Sequence, residues 1–178
     1  DDTVRVRRTI HRVPELSFDE ERTAAFVAAE LNAAGISCET GVGGHGVIAT
    51  IEGQATASGQ AAPVVALRAD MDALPIREEN DHDFRSTVDG VMHACGHDGH
   101  TASLLTAGRI LARLRDSLPG TVRLIFQPAE ERAPGGAQAM IADGVLEAPR
   151  VGSVFGQHVN PELPAGTVGF NPGLFMAS

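Results

Sequence analysis

Tryptophan and tyrosine are missing from the 178 residues, and cysteine occurs only at Cys38 and Cys95. Without Trp or Tyr the chain has few rigid aromatic anchors for a protein-recognition surface. Two cysteines are too few for a disulfide framework in a domain of this size, and a reducing, cytoplasmic setting is expected. No apolar run approaches the roughly eighteen residues of a membrane span. No long basic run occurs and the net charge is −9, which argues against nucleic acid as a partner. The chain opens Asp1-Asp2-Thr3-Val4-Arg5, without an initiator Met and unlike a signal peptide, so a trimmed or processed start is expected. There is no internal repeat, no GxxxxGK[ST] phosphate loop and no CxxC pair. With 43% hydrophobic and 21% charged residues, the chain reads as one ordinary globular domain.

What is present is concentrated in Met92-His93-Ala94-Cys95-Gly96-His97-Asp98-Gly99-His100-Thr101. Three imidazoles, a thiol and a carboxylate in ten residues are costly to hold together unless something binds them. A cysteine alone would read as a buried free thiol. Cys95 and His97, two residues apart, share a face if the backbone is extended and are the natural ligand pair. His93 and His97 have the separation of a zincin helix, but Ala94 stands where its general-base Glu belongs.

The flanking elements alternate. A helix is predicted from Thr3 to Arg12, ended by Pro14. A second helix follows a capping box with Ser17 as N-cap and Glu20 reaching back; it buries Ala24, Val27, Ala28 and Leu31 and stops at Gly35. Strands are expected at Ile36–Glu39 and Gly46–Ile51, then an exposed loop over Gly53–Pro63. Val64–Leu67 reads as a strand buried on both faces, running into Asp70 and Asp72, which can point to the same side. A helix over His100–Leu118 would be capped by Asp98 or Thr101 and bury Leu104, Ala107, Leu111, Leu114 and Leu118. Thr121–Gln127 is the next strand and delivers Glu130-Glu131, whose side chains would face opposite ways on an extended segment. A short helix from Gly135-Gly136 to Ala142 precedes a further apolar strand, Ser153–His158. This alternation predicts an α/β layered domain with a mostly parallel central sheet flanked by helices and its donors collected at one sheet edge.

Cys95, His97, Glu131 and His158 supply a thiolate, a carboxylate and two imidazoles. That is too many donors for one catalytic ion with an open position, and about right for two ions sharing a site. Such a site activates a water and polarises a scissile carbonyl, and Glu130 is the base that takes the proton from that water and passes it to the leaving amine. Thiolate with imidazole favours zinc, while the mixed donors also admit manganese, cobalt or nickel. The competing reading is a non-catalytic metal-binding domain, for which a carboxylate beside Glu131 has no use. A structural zinc module is disfavoured because the ligands are widely dispersed.

These motifs, with ALRADMDALP (66–75), IFQPAEE (125–131), FGQHVNPELPAGTVGFNPG (155–173) and the opening IHRVPELSFDEERTAAFV, resemble the aminoacylase/carboxypeptidase-type metallo-amidohydrolases. The nearest branch holds hippurate hydrolases, N-acyl-amino-acid amidohydrolases and auxin-conjugate hydrolases. The resemblance runs in order over nearly the whole chain. It implies metal ligation by Cys95, His97, Glu131 and His158, with Glu130 as catalytic base, a small N-acyl amino acid or peptide-like substrate, and no membrane or nucleic-acid partner. Related branches carry a ligating His where Asp70 stands, so only Asp72 carries over, as the residue that orients a ligand. Family members are considerably longer, with a lid domain, usually dimerising, inserted into the catalytic domain. By that resemblance residues 1–178 form the first segment of the catalytic domain in a two-domain architecture, with lid, last His ligand and remaining sheet elements beyond them. A homo-oligomer through the lid and little activity from this segment alone are the corresponding expectations.

Overall fold

The β-branched and aromatic run TVRLIFQ forms the central strand of the sheet, as its propensity requires. A computed structural model describes residues 2–55, 62–170 and 173. In chain order these form α1 (Asp2–Arg12), α2 (Glu21–Ala33), β1 (Cys38–Val42), β2 (Gly46–Glu52), β3 (Val64–Asp70), α3 (His97–Arg113), β4 (Thr121–Gln127), α4 (Gly136–Ala142) and β5 (Ser153–Gly156). The sheet order is β1-β2-β4-β3-β5. Strand β3 pairs parallel with both β4 and β5, while β1–β2 and β2–β4 are antiparallel. The sheet is therefore mixed. Only three residues join β1 to β2, and a short turn can close only an antiparallel pair; the parallel half needs crossovers, of which α3 is one.

Alternating side chains fill two cores. On one face, Val47, Ala49 and Ile51 of β2 and Leu124 and Phe126 of β4 meet Val6 and Ile10 of α1, Val27 and Leu31 of α2, and Ala102, Leu104 and Leu105 of α3. On the other, Ala66 and Ile125 pack with Met140 and Val145 beneath α4. This is the α/β layered arrangement expected from the alternation of elements. Most of the predicted Gly53–Pro63 loop lies outside the described residues.

Several local expectations are corrected. Ser17 does not cap α2: its hydroxyl donates to Asp72 (2.6 Å), and Glu20 reaches the Ala129 amide (2.6 Å). The first turn of α2 is instead satisfied by Glu15, whose carboxylate accepts from the Arg22 and Thr23 amides at 3.1 and 2.8 Å. Helix α3 begins three residues early, at His97, behind a left-handed Gly96 (φ 87°) with no side-chain cap. Asp98 turns away to His11, and Thr101 donates to the Asp70 carbonyl (2.8 Å). The early start rotates the buried face to Thr101, Ala102, Leu104, Leu105 and Gly108, leaving Leu114 49% exposed. Strand β5 lies at the sheet edge, with Val154 and Phe155 exposed.

What the topology decides is one edge. In the parallel register Asp70 pairs with Gln127 and Arg68 with Gly156. The segments leaving β3, β4 and β5 therefore emerge side by side, next to the first turn of α3.

Candidate metal centre

His97 is the hub. It is 1% exposed, held at the start of α3 by a backbone that turns through Gly96, where a side chain would overlap Val159. Its Nδ1 lies 3.2 Å from Asp72 Oδ1. Asp72 Oδ2 accepts from the Ser17 hydroxyl and from the Glu131 amide (3.0 Å). Because a carboxylate only accepts, Nδ1 is the protonated nitrogen and Nε2 carries the lone pair. That Nε2 is buried without a hydrogen-bond partner among the described residues. It faces Asp70 Oδ2 at 3.7 Å, Glu131 Oε1 at 3.7 Å and Glu130 Oε2 at 3.9 Å.

His97 also belongs to a second group. Ligand atoms of Cys95, His97 and His158 lie within 4.8 Å of one another. Cys95 Sγ stands 3.4 Å from His158 Nε2. His158 Nδ1 donates to the Val159 carbonyl at 2.7 Å, which again leaves Nε2 as the free donor atom. Glu130 and Glu131 do not face opposite ways as expected. The chain bends after Pro128, with Ala129 left-handed (φ 47°), and both carboxylates turn toward His97. Glu130 is the more open, its side chain 41% exposed against 23% for Glu131. Cys95, His97, Glu130, Glu131 and His158 are thus brought together, with Asp72 behind His97.

Asp70 and His100 join the site although the sequence reading assigned them no role. His100 Nε2 accepts from the Val159 amide (2.9 Å) and Nδ1 donates to Asp70 Oδ1 (2.6 Å), so α3 holds the segment that bears His158. Arg68 braces the other Asp70 oxygen at 2.7 Å. The signal for His100 was its helical spacing of three from His97, which puts both rings on one face once the helix starts at His97.

Electrostatics separate the donors. Burial alone would raise the Asp72 carboxyl, but His97, Ser17 and the Glu131 and Glu130 amides outweigh it and hold it at about 2. Burial would likewise raise Asp70, and His100, Arg68 and His97 bring it below its ordinary value. Burial works against a charged His97, yet Asp72, Asp70 and Glu131 raise it. Cys95 goes the other way. Burial first, then Glu131, Asp70 and Glu130, push its thiol up to about 12. A thiolate is unstable in this acidic pocket unless a cation joins it. The donor set fits such a cation: at metal–ligand bonds of about 2.0–2.3 Å, ligands around one ion stand about 3.3–4 Å apart, and a buried acceptor nitrogen waits among them.

A family model described as peptidase family M20/M25/M40 matches residues 66–173. An N-acyl-L-amino acid amidohydrolase of Geobacillus stearothermophilus is 46% identical over 177 residues, which are 99% of this chain and 46% of that protein. An N-acetylcysteine deacetylase of Bacillus subtilis is 46% identical over 176 residues, 98% of this chain and 44% of that one. A solved dinuclear metal binding peptidase of the M20 family, from Bacillus subtilis, superposes with a TM-score of 0.88 at 45% identity, over 96% of this chain and 46% of its own. The chain spans less than half the length of these relatives. No helix among the described residues is long and apolar enough to cross a membrane. The resemblance read from the motifs is borne out, and the chain belongs to peptidase family M20/M25/M40, with the fold of its dinuclear metallohydrolases.

Proposed function

We propose that residues 1–178 are the first segment of the catalytic domain of a metal-dependent amidohydrolase, acting on N-acyl amino acids or similar small amides. The observation that carries this reading is the buried, partnerless His97 Nε2, ringed by the Glu130, Glu131 and Asp70 carboxylates and grouped with Cys95 and His158. Cys95, His97, Glu131 and His158 hold two divalent ions, of which zinc or manganese suits the donors best, with cobalt or nickel next. When bound, the ions supply Lewis-acid polarisation of the amide carbonyl and acidify a water. Asp72 keeps the His97 proton on Nδ1, so that Nε2 stays available. Glu130, open to solvent and within 3.9 Å of His97 Nε2, takes the proton from the attacking water and delivers it to the leaving amine.

The names of the relatives support the substrate class: an N-acyl-L-amino acid amidohydrolase and an N-acetylcysteine deacetylase both cut an amide on an amino-acid nitrogen. This chain spans less than half the length of those relatives. To the remainder of the full-length protein we assign a lid domain, a final His ligand and a homo-oligomeric contact, with little turnover by this segment alone. The test is Glu130→Gln in the full-length protein, assayed for release of amino acid from N-acyl substrates alongside metal content. The expected result is a fall in turnover by about 10²-fold or more with metal retained. Retained turnover in this variant, or turnover by the wild type after complete metal removal, refutes the assignment.

A further inference from the structure

A second group of metal-binding side chains lies away from the centre just described and shares no residue with it. His11, at the end of α1, and Glu78 and His82, in the loop that follows β3, bring their ligand atoms within 4.8 Å of one another. His11 Nε2 stands 3.1 Å from Glu78 Oε1, and His82 Nε2 stands 3.2 Å from the same oxygen. The His11 and Glu78 side chains are 2% and 3% exposed, that of His82 29%. Bound about 2.0–2.1 Å from a tetrahedral zinc, two ligands stand about 3.3 Å apart, close to both observed separations.

Proton accounting sharpens the case. His11 Nδ1 donates to Asp98 Oδ2 at 2.7 Å. In neutral His11 this leaves a lone pair on Nε2 aimed at a carboxylate that also only accepts. Two acceptors 3.1 Å apart repel unless a positive charge lies between them. That charge is either a second ring proton, which burial opposes but Asp98 and Glu78 favour, or a metal cation. His82 poses the same problem at the same oxygen. If its Nε2 is protonated to solve it, the buried Nδ1 becomes an acceptor with no partner among the described residues. Glu78 Oε1 also receives the Asn80 amide at 3.2 Å, and the Ser86 amide takes Oε2 at 2.6 Å. One cation bound to both Nε2 atoms and to Oε1 resolves both contacts with that oxygen, with the His82 proton then on the buried Nδ1. For His11 the second sphere is in place, since a ligating imidazole ordinarily donates its other N–H to a carboxylate, as His11 does to Asp98. Arg7 shares that Asp98 oxygen at 2.7 Å. His82 is held for the task by stacking on Phe84, with ring centroids 3.8 Å apart and planes within 13°.

We propose that His11, Glu78 and His82 form a separate site for a zinc-type divalent cation, which pins loop 77–90 to α1. Two imidazoles and one carboxylate select a borderline ion such as zinc over magnesium or calcium, and three protein ligands leave one position for water. The site sits over Asp98, next in sequence to His97, so it also braces the first turn of α3.

The experiment is zinc content by elemental analysis of the full-length protein, saturated with zinc and freed of excess, comparing wild type with His82→Asn and Glu78→Gln. His82 is partly exposed on a loop, and Gln conserves the shape of Glu78, so these variants disturb packing least. Each should lose one equivalent of zinc per chain. Cobalt-substituted samples of the same variants should keep the thiolate-to-metal absorption that reports Cys95. Unchanged zinc content in both variants overturns the site, and so does complete loss of zinc from a Cys95→Ser variant.

Discussion

Replacing Asp72 by Asn changes one atom and tests the logic of the His97 hub. Asp72 is 1% exposed and accepts three hydrogen bonds, from His97 Nδ1, the Ser17 hydroxyl and the Glu131 amide. Asn offers one acceptor oxygen and one donor group, so at least one of those partners faces a donor instead. The carboxyl stands at about 2 in the folded chain against 3.8 ordinarily. That difference corresponds to about 2–3 kcal/mol of stability. The loss of one charge-assisted hydrogen bond, about 1.5–3 kcal/mol, gives the same magnitude. Raising His97 and lowering Asp72 are one interaction seen from two sides and are counted once. A depressed carboxyl contributes stability that is present above its unfolded value and lost as pH falls through its folded value. Urea unfolding of the metal-free protein should therefore show Asp72→Asn weaker by about 2–3 kcal/mol at pH 7, with the gap closing between about pH 4 and pH 2. If the Asn amide donates to His97 Nδ1, the ring proton moves to Nε2, the atom the metal needs. Zinc affinity, measured by competition with a chelator, should fall by about 10–100-fold. Equal unfolding midpoints at pH 7 together with unchanged zinc affinity would refute the reasoning.

Two further outcomes follow from other parts of the structure. Glu20 is fully buried, with Oε2 unpartnered among the described residues, and its carboxyl is raised above 4.5, chiefly by burial. The fold thus favours its neutral form: that advantage is present below about pH 4.5 and lost as pH rises through the raised value. Glu20→Gln, neutral throughout, should be more stable than wild type at pH 7 and lose that lead at pH 4 in chemical denaturation; a lead of equal size at both pH values would contradict this. Gly96→Ala places a side chain at φ 87° and against Val159. It should cost about 1–2 kcal/mol from backbone strain alone and reduce metal retention by shifting His158, read by thermal melts and elemental analysis; an unaltered melting temperature would contradict it.

The sequence determined the kind of chemistry and the elements that carry it. Thr121–Gln127 and Gly136–Ala142 fold where periodicity and Gly/Pro punctuation set them, because strand propensity and turn geometry are local properties. The donors of the ten-residue stretch and the acidic pair after β4 were recognisable because their density has no cheap structural use. Direction was not recognisable. Which way Glu130 points depends on a left-handed Ala129, and where α3 starts depends on Gly96 turning beneath Val159, a residue 63 positions away in sequence. Ser17 and Glu20 carry a capping signature, yet their side chains satisfy Asp72 and Ala129 across the fold, while Glu15 takes the cap. His11, Glu78, His82 and Asp98 carry no common motif, and only packing α1 and loop 77–90 against α3 makes them neighbours. Local chain chemistry sets what each residue is able to do. Long-range burial, in which each polar group must find a partner wherever one lies, decides which of those capacities is used.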